Sequence, residues 1–313
     1  MIIGHADDVT AAVLAEAART TDARTREILS AGIRHLHAFV REARLSENEF
    51  RNLCIVIARV GQATNASHNE VMLAAGSLGV SSLVCLLNND AGATGTTANL
   101  MGPFWRLGSP RTEHGGSIVR SPTPGDPVFV KAWVHDRGGR PVADAEVDVW
   151  HASPEGYYEN QDPQQADMNL RGRFTTDADG HFAFRTVKPA GYPVPVDGPV
   201  GALLRAQGRH NMRPAHLHFL IHKPGYKTQF SQVYSADDPN LESDAQFGVT
   251  RALIAHYERH GAGGAPAGDV TGPWYSLERH FVIEPGDASL PAPPITGKAT
   301  GPRPELTVLP RQP

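Results

Sequence analysis

Hydrophobic spacing along the chain changes character near residue 90. Before that point the period is helical: Ile28, Leu29, Ile33, Leu36, Phe39 and Val40 recur at three- and four-residue steps. Ser46 and Glu49 have the spacing of a capping box ahead of a second periodic run over 50–60. Residues 6–89 thus predict three to five helices. From about residue 118 an alternation of period two takes over. The stretch 127–135 is rich in strand formers, 136–141 marks a turn, and 145–150 alternates. Residues 174–185 read as a hairpin turning at 177–180, and 216–221 as a further strand. Many short strands between Gly/Pro turns predict a sandwich. The expected fold class is α+β, mainly β. A helical N-terminal domain spans 1–105, an antiparallel β-sandwich 106–285, and a Pro/Gly-rich arm 286–313.

Composition narrows the ligand class. With 313 residues, 20% charged and 40% hydrophobic, the chain has the make-up of an ordinary soluble protein able to bury a core. A net charge of −4 offers no electrostatic reason for a nucleic acid or an anionic membrane as partner, leaving small molecules. The start, Met1 to Asp8, has no basic segment followed by an apolar run, so no secretory signal is expected. The two cysteines, Cys54 and Cys85, sit in apolar helical stretches, which predicts buried thiols and a reducing cytoplasm. Residues 71–87 carry no charge, close to the shortest membrane span. Interruption by Gly76, Ser77, Gly79, Ser81 and Ser82 makes a buried helix, at a subunit interface, the better expectation.

The chemistry concentrates in Arg213-Pro-Ala-His-Leu-His-Phe219. On a strand, residues two apart point to one face with Cα atoms about 6–7 Å apart, so His216 and His218 can reach one metal. His35 and His37 share that spacing, but they lie in a helical run where such residues diverge, and they read as surface histidines. Alone, His216 and His218 fit equally a pair of hydrogen-bonded structural histidines, a zinc site or a cupin-type site. Upstream, Tyr157 and Tyr158 follow Trp150-His-Ala, and Tyr192 lies in a Gly-Tyr-Pro-Val-Pro-Val-Asp-Gly-Pro block. Each puts a tyrosine in a loop beside a strand, able to turn inward.

Taken together these blocks resemble the intradiol ring-cleavage dioxygenases, the group of catechol, chlorocatechol and hydroxyquinol 1,2-dioxygenases. The matching pieces, in order, are Gly102-Pro-Phe104, Trp150-His-Ala152, Gly156-Tyr-Tyr158 and Leu170-Arg-Gly172. Tyr192-Pro-Val-Pro195, Gly208-Arg-His210, Arg213 to Phe219 and Gln232 follow. The resemblance covers residues 20–285 and implies four metal ligands: Tyr158, Tyr192, His216 and His218. Tyr158 rather than Tyr157 matches the family's Gly-x-Tyr spacing. The implied cofactor is one Fe(III) per subunit. A hard cation prefers anionic oxygen, and it can offset the about 4 kcal/mol needed to ionise a tyrosine at neutral pH. A catechol-type diol would give its protons to hydroxide and to a departing Tyr192. Both atoms of O2 would enter between the two hydroxylated carbons. Arg213 would stabilise negative charge on the ring, and Gln232 would orient substrate or oxygen. The resemblance also implies a homodimer paired through an N-terminal dimerisation or linker domain, with a lipid held there.

Pocket walls implied by the family fall on Leu73, Gly76, Leu100, Met101, Gly102, Pro103, Phe104, Val194 and Pro195. Segments 33–45, 78–81, 231–234, 237–239 and 247–249 look most like the hydroxyquinol branch, implying 1,2,4-trihydroxybenzene converted to maleylacetate. That branch tends to carry an acidic residue at the position of Gly76, so the chain is expected to lose a polar partner there and gain space. Catechol or a substituted catechol, giving cis,cis-muconates, is the alternative. The rival classes are a zinc hydrolase or cupin-like oxygenase built on the two histidines, and a metal-free β-sandwich that binds a small aromatic. Neither rival gives Tyr158 and Tyr192 a task.

Overall fold

The structure is a computed structural model that describes residues 2–89 and 95–311. It divides into two compact units, residues 1–58 and 59–313, each described by itself. The first is helical. Helix α1 (Ala6–Ala17) packs on α2 (Ala23–Ala43), and α3 (Glu47–Gln62) runs across the boundary. Asp22 caps α2 by accepting the amide of Thr25 at 2.7 Å. The expected capping box forms at α3: Glu49 N donates to Ser46 Oγ at 3.3 Å and Glu49 Oε2 accepts Ser46 N at 2.8 Å. None of these three helices buries a residue in the single chain, and Leu36, Phe39, Val40 and Ile57 stand exposed. Cys54 is exposed and Cys85 only half-buried, contrary to the expectation of core thiols, because the apolar stripes that carry them face out of the chain.

In the second unit the uncharged stretch is not one buried helix. It breaks at Leu78-Gly79 into α4 (Glu70–Ser77) and α5 (Val80–Asn88), bent by 76°. Gly79 adopts φ 74°, a left-handed turn that a side chain would strain. Helix α4 buries Leu73, Gly76 and Ser77, whereas α5 buries nothing. No single helix among the described residues is long and apolar enough to cross a membrane.

Eleven strands follow among the described residues. Those in the sandwich are β1 (Pro127–Asp136), β2 (Glu146–Trp150), β3 (Arg171–Thr175), β4 (His181–Val187), β7 (His216–His222), β8 (Gln229–Ser235), β9 (Ile254–Ala255), β10 (Glu258–His260) and β11 (Trp274–Ile283). One sheet has the order β10-β11-β1-β4 and the other β3-β2-β7-β8-β9. Pairing is antiparallel except for β1 with β11 and β8 with β9. A separate ribbon joins β5 (Tyr192–Pro193) to β6 (Met212–Arg213), flanking α6 (Pro199–Ala206).

The segment 174–185 is not a hairpin. Strands β3 and β4 belong to different sheets, and the 177–180 turn carries the chain across the sandwich. Phe174 of β3 stacks on Phe182 and Phe184 of β4 at 5.8 and 5.2 Å, so the two strands meet face to face through aromatic rings. Val128, Val130, Ala132 and Val134 of β1 oppose Val147 and Val149 of β2 and Leu217, Phe219 and Ile221 of β7 in one buried core. Phe219, fully buried against Phe281 at a ring separation of 4.9 Å, lies within it. Replacing Phe219 with Ala should cost about 3–5 kcal/mol of unfolding free energy in a urea titration. A loss below about 1 kcal/mol would mean that the two sheets do not rely on this layer.

Candidate metal centre and ring-binding site

Strand alternation decides where the histidines point. Leu217, Phe219 and Ile221 of β7 face the inter-sheet core, so His216 and His218 project from the opposite face. The register brings Trp150 of β2 and Gln232 of β8 beside His218, and Tyr234 of β8 beside His216, all on that same face. Helix α4 and the loops cover it, so that Leu73, Phe104, Trp105, Tyr158, Tyr192 and Val194 form a second buried cluster there. Trp150 stacks on the His218 ring at 4.6 Å and 8° and fixes its plane.

Tyr158 enters from the loop after β2. A turn closes as Gly156 N donates to Ser153 O at 2.9 Å, with Gly156 at φ 89°. Its neighbour Glu159 is buried between two guanidinium groups, accepting Arg171 Nε at 2.7 Å and Arg106 Nη1 at 2.8 Å, which anchors the loop. Tyr192 sits on β5, paired directly with Arg213 of β6.

Four donor atoms converge. The Nε2 atoms of His216 and His218 are 3.0 Å apart, and His218 Nε2 is 3.0 Å from Tyr158 Oη. Tyr158 Oη lies 3.4 Å from both His216 Nε2 and Tyr192 Oη. Donors bonded at about 2.0–2.1 Å to one small cation stand about 2.9–3.4 Å from one another. His216 Nδ1 is 2.6 Å from the Pro214 carbonyl, an acceptor, so its proton belongs on Nδ1 and a lone pair on Nε2. Burial, then the Arg213 charge, pushes His216 down to about 3, and burial with His216 holds His218 well below the usual histidine range. At neutral pH both imidazoles are therefore uncharged, and each offers an Nε2 lone pair to a cation when its one proton sits on Nδ1, as the Pro214 carbonyl arranges for His216. Burial, then Tyr192, also raises the Tyr158 phenol. Neutral imidazoles facing phenols in a dry site are the donor set of a cation that ionises the phenols, and the residues fit a hard metal ion. A second grouping, His114, Asp177 and His181, lies at the surface with ligand atoms within 4.8 Å of one another, but it lacks that burial.

Arg213 is fully buried beside these donors. Its Nη1 is 3.3 Å from His216 Nε2 and 3.5 Å from Tyr192 Oη. Asp244 grips it from behind, at 2.9 Å to Nε and 3.1 Å to Nη2, and Tyr234 Oη accepts from Nη2 at 3.0 Å. Burial opposes the Arg213 charge, and Asp244 together with Tyr234 and Tyr192 outweighs it, raising the guanidinium above its ordinary value. Burial likewise opposes the Asp244 carboxylate, which Arg213 nevertheless holds below the usual range. Gln232 is fully engaged: its Oε1 accepts from Arg213 Nη2 at 3.1 Å and its Nε2 donates to the Leu100 carbonyl at 2.8 Å.

The expected wall residues separate into two places. Leu73 and Phe104 lie in the cluster with the tyrosines, Met101 packs against it, and Gly102 approaches His218 so that a Cβ would stand 3.4 Å from its Cε1. Leu100 and Pro103 are buried in the same segment. Val194, a member of that same cluster, and Pro195 also line a cavity of about 610 Å³ with His68, Glu70 and Leu306, which none of the four donors touches. Position 76 is not open, as expected from the absent side chain, because Gln246 fills the space a Cβ would take. Trp150, Tyr234, Asp244 and Gln246 escaped selection from the sequence. Trp150 was visible in its motif, while the other three come from strand register and a loop with no periodic signal.

Residues 101–275 match the protein family described as Dioxygenase, and residues 22–96 match Catechol dioxygenase N terminus. The chain belongs to the intradiol ring-cleavage dioxygenases. It is 37% identical to a hydroxyquinol 1,2-dioxygenase of Nocardioides simplex, over 89% of this chain and 95% of that one. A 6-chlorohydroxyquinol 1,2-dioxygenase of Cupriavidus pinatubonensis is 38% identical, covering 89% and 97%. Among solved structures, hydroxyquinol 1,2-dioxygenase from Pseudomonas putida DLL-E4 superposes with a TM-score of 0.80 at 37% identity, covering 90% of this dioxygenase and 99% of that chain.

Within this intradiol dioxygenase, removing Asp244 leaves a buried cation unpaired. Asp244→Ala should lower the unfolding free energy by about 3–5 kcal/mol, measured by denaturant titration. A change below about 1 kcal/mol would show that Arg213 finds solvent or another anion.

Proposed function

We propose that this chain is an Fe(III) intradiol dioxygenase that converts hydroxyquinol and O2 to maleylacetate. The observation that carries the reading is the meeting of His216, His218, Tyr158 and Tyr192 in a buried site at separations of 3.0–3.4 Å. Similarity to the hydroxyquinol enzymes supports the choice of substrate. The four residues would hold one iron(III) per subunit. When bound there, a ferric ion supplies Lewis acidity that draws electron density from a diol and makes its ring reactive towards O2.

The chain's own groups do the rest. Once ionised by the bound cation, Tyr192 would accept a proton on Oη from a diol hydroxyl and become a neutral phenol, and Arg213 Nη1, 3.5 Å away, would stabilise the anionic side of that exchange. The guanidinium stays charged throughout the working range because Asp244 pairs with it. As oxygen attacks, the same charge faces the negative charge that develops on the ring. Gln232 is a positioning residue, spanning Arg213 and the Leu100 carbonyl. Leu73 and Phe104 supply apolar walls that keep water from the ring. The atoms balance without a further reductant: the ring carbon–carbon bond breaks, both oxygen atoms stay in one dicarboxylate, and no other product leaves.

The exposed apolar residues of α2 and α3 are, in this reading, the surface through which two copies pair and against which a lipid chain lies. Two unpaired thiols suit a reducing cytoplasm.

Incubation of the iron-loaded protein with hydroxyquinol, and separately with catechol, under 18O2 tests the reaction. The expected result is one product per O2 consumed, carrying two labelled oxygen atoms, with hydroxyquinol turned over faster. Product with one labelled atom, or no uptake with either diol, would contradict it. Tyr158→Phe, which removes one phenolate and leaves the packing, should lower kcat at least about 100-fold, as loss of a metal-tuning or ligating group does. Unchanged turnover would exclude Tyr158 from the ligand set.

A further inference from the structure

Position 76 has no side chain, and a neighbouring one takes its place. A Cβ at Gly76 would overlap Gln246 Oε1 and stand 2.8 Å from Cδ. Gln246 is buried, 2% exposed, and its amide is oriented by the protein. Nε2 donates to Ser77 Oγ at 2.7 Å, the backbone amide donates to Asp244 Oδ1 at 3.1 Å, and the backbone carbonyl accepts Ser82 Oγ at 3.2 Å. With the nitrogen committed to Ser77, the oxygen is the end that faces Gly76. Among the described residues, no donor of the chain reaches Gln246 Oε1 and the atom is not fully enclosed, so it is an acceptor open to a donor that the chain itself does not supply.

The place of this acceptor ties it to the ring-binding site. Leu73, one turn before Gly76 on the same face of α4, lies in the cluster that contains Tyr158 and Tyr192. Asp244, two residues before Gln246, is the partner of Arg213. Gly248, two residues after it, packs so closely that a Cβ would stand 2.9 Å from Arg213 Nη2. Gln246 thus lies against the helix wall, on the segment whose Asp244 holds Arg213. A carboxamide supplies an acceptor there without the cost of burying a further charge beside the Arg213–Asp244 pair.

We propose that Gln246 is a specificity-determining residue whose Oε1 accepts a hydrogen bond from the ring hydroxyl that a trihydroxybenzene has and a catechol lacks. This rests on the dioxygenase reading above and adds to it the group that tells the two substrates apart. An acceptor that the third hydroxyl engages and that catechol leaves without a partner favours the triol.

The test compares anaerobic dissociation constants for hydroxyquinol and catechol, measured by titration calorimetry on iron-loaded protein, and then kcat and KM in air. Catechol serves as the internal control for folding and for the metal centre. Gln246→Leu should weaken hydroxyquinol binding about tenfold and change catechol binding by less than about twofold, a hydrogen bond's worth of discrimination. Gln246→Glu, which keeps an acceptor at that reach, should retain the preference. If Gln246→Leu does not fold, Gln246→Asn, which withdraws the acceptor by one methylene, is read in the same way. Equal changes for both ligands, or none for either, would overturn the role of Gln246 while leaving ring cleavage intact. Wild-type protein that binds both diols and does not prefer hydroxyquinol would overturn it too. Wild-type protein that neither binds nor opens any diol would overturn the dioxygenase reading and this one with it.

Discussion

Two imidazole nitrogens stand 3.0 Å apart in a site closed to water, each neutral at ordinary pH, and two phenols face them. With the ring protons on Nδ1, where the Pro214 carbonyl holds that of His216, both lone pairs point at one place and a cation there satisfies them together. Much of the second unit answers to that constraint. The alternation of β7 sends three residues into the sandwich core and the two histidines out of its other face, so the site rests on a rigid sheet. Helix α4, the loop after β2 and the β5–β6 ribbon then seal the outer face, the loop bringing Tyr158 and the ribbon Tyr192. Without burial the imidazoles would be solvated and the phenols would gain nothing from meeting them.

A buried positive charge beside a cation site needs restraint. Arg213 has it from Asp244, Tyr234 and Gln232, which occupy its Nε and Nη2 donors and leave Nη1 to reach towards Tyr192 and His216. The pair with Asp244 holds the guanidinium in one place, where a mobile one would compete for the imidazole lone pair. The same segment, continuing through Gln246 to Gly248, packs against α4, so the wall of the pocket and the charge inside it are fixed by one stretch of chain.

The parts legible in the sequence were those with local causes. The period-two pattern of 216–221 located β7 and the shared face of its histidines, and the Ser46–Glu49 spacing located the start of α3. The Gly-Tyr blocks located both phenols once a family resemblance was in view. The turn at 177–180 gave no sign of which sheet each flank joins, because the same turn residues serve a hairpin and a crossover. The parallel pairing of β1 with β11 joins segments far apart in the chain, outside the reach of any local pattern. Burial of the cysteines was misread because an apolar stripe shows which side of a helix seeks cover, not whether its own chain provides it. Asp244, Tyr234 and Gln246 owe their roles to long-range contacts. An acidic residue missing at position 76 could be seen, but the glutamine filling its space could not.

The most direct test of the central claim is the visible absorption spectrum of the iron-loaded protein, recorded without oxygen before and after addition of hydroxyquinol. Ligation of ferric iron by Tyr158 and Tyr192 predicts a broad red-brown phenolate-to-iron band that shifts when the diol binds. A protein that stays colourless after loading with iron, or whose spectrum ignores the diol, would contradict the assignment of these four residues to one metal.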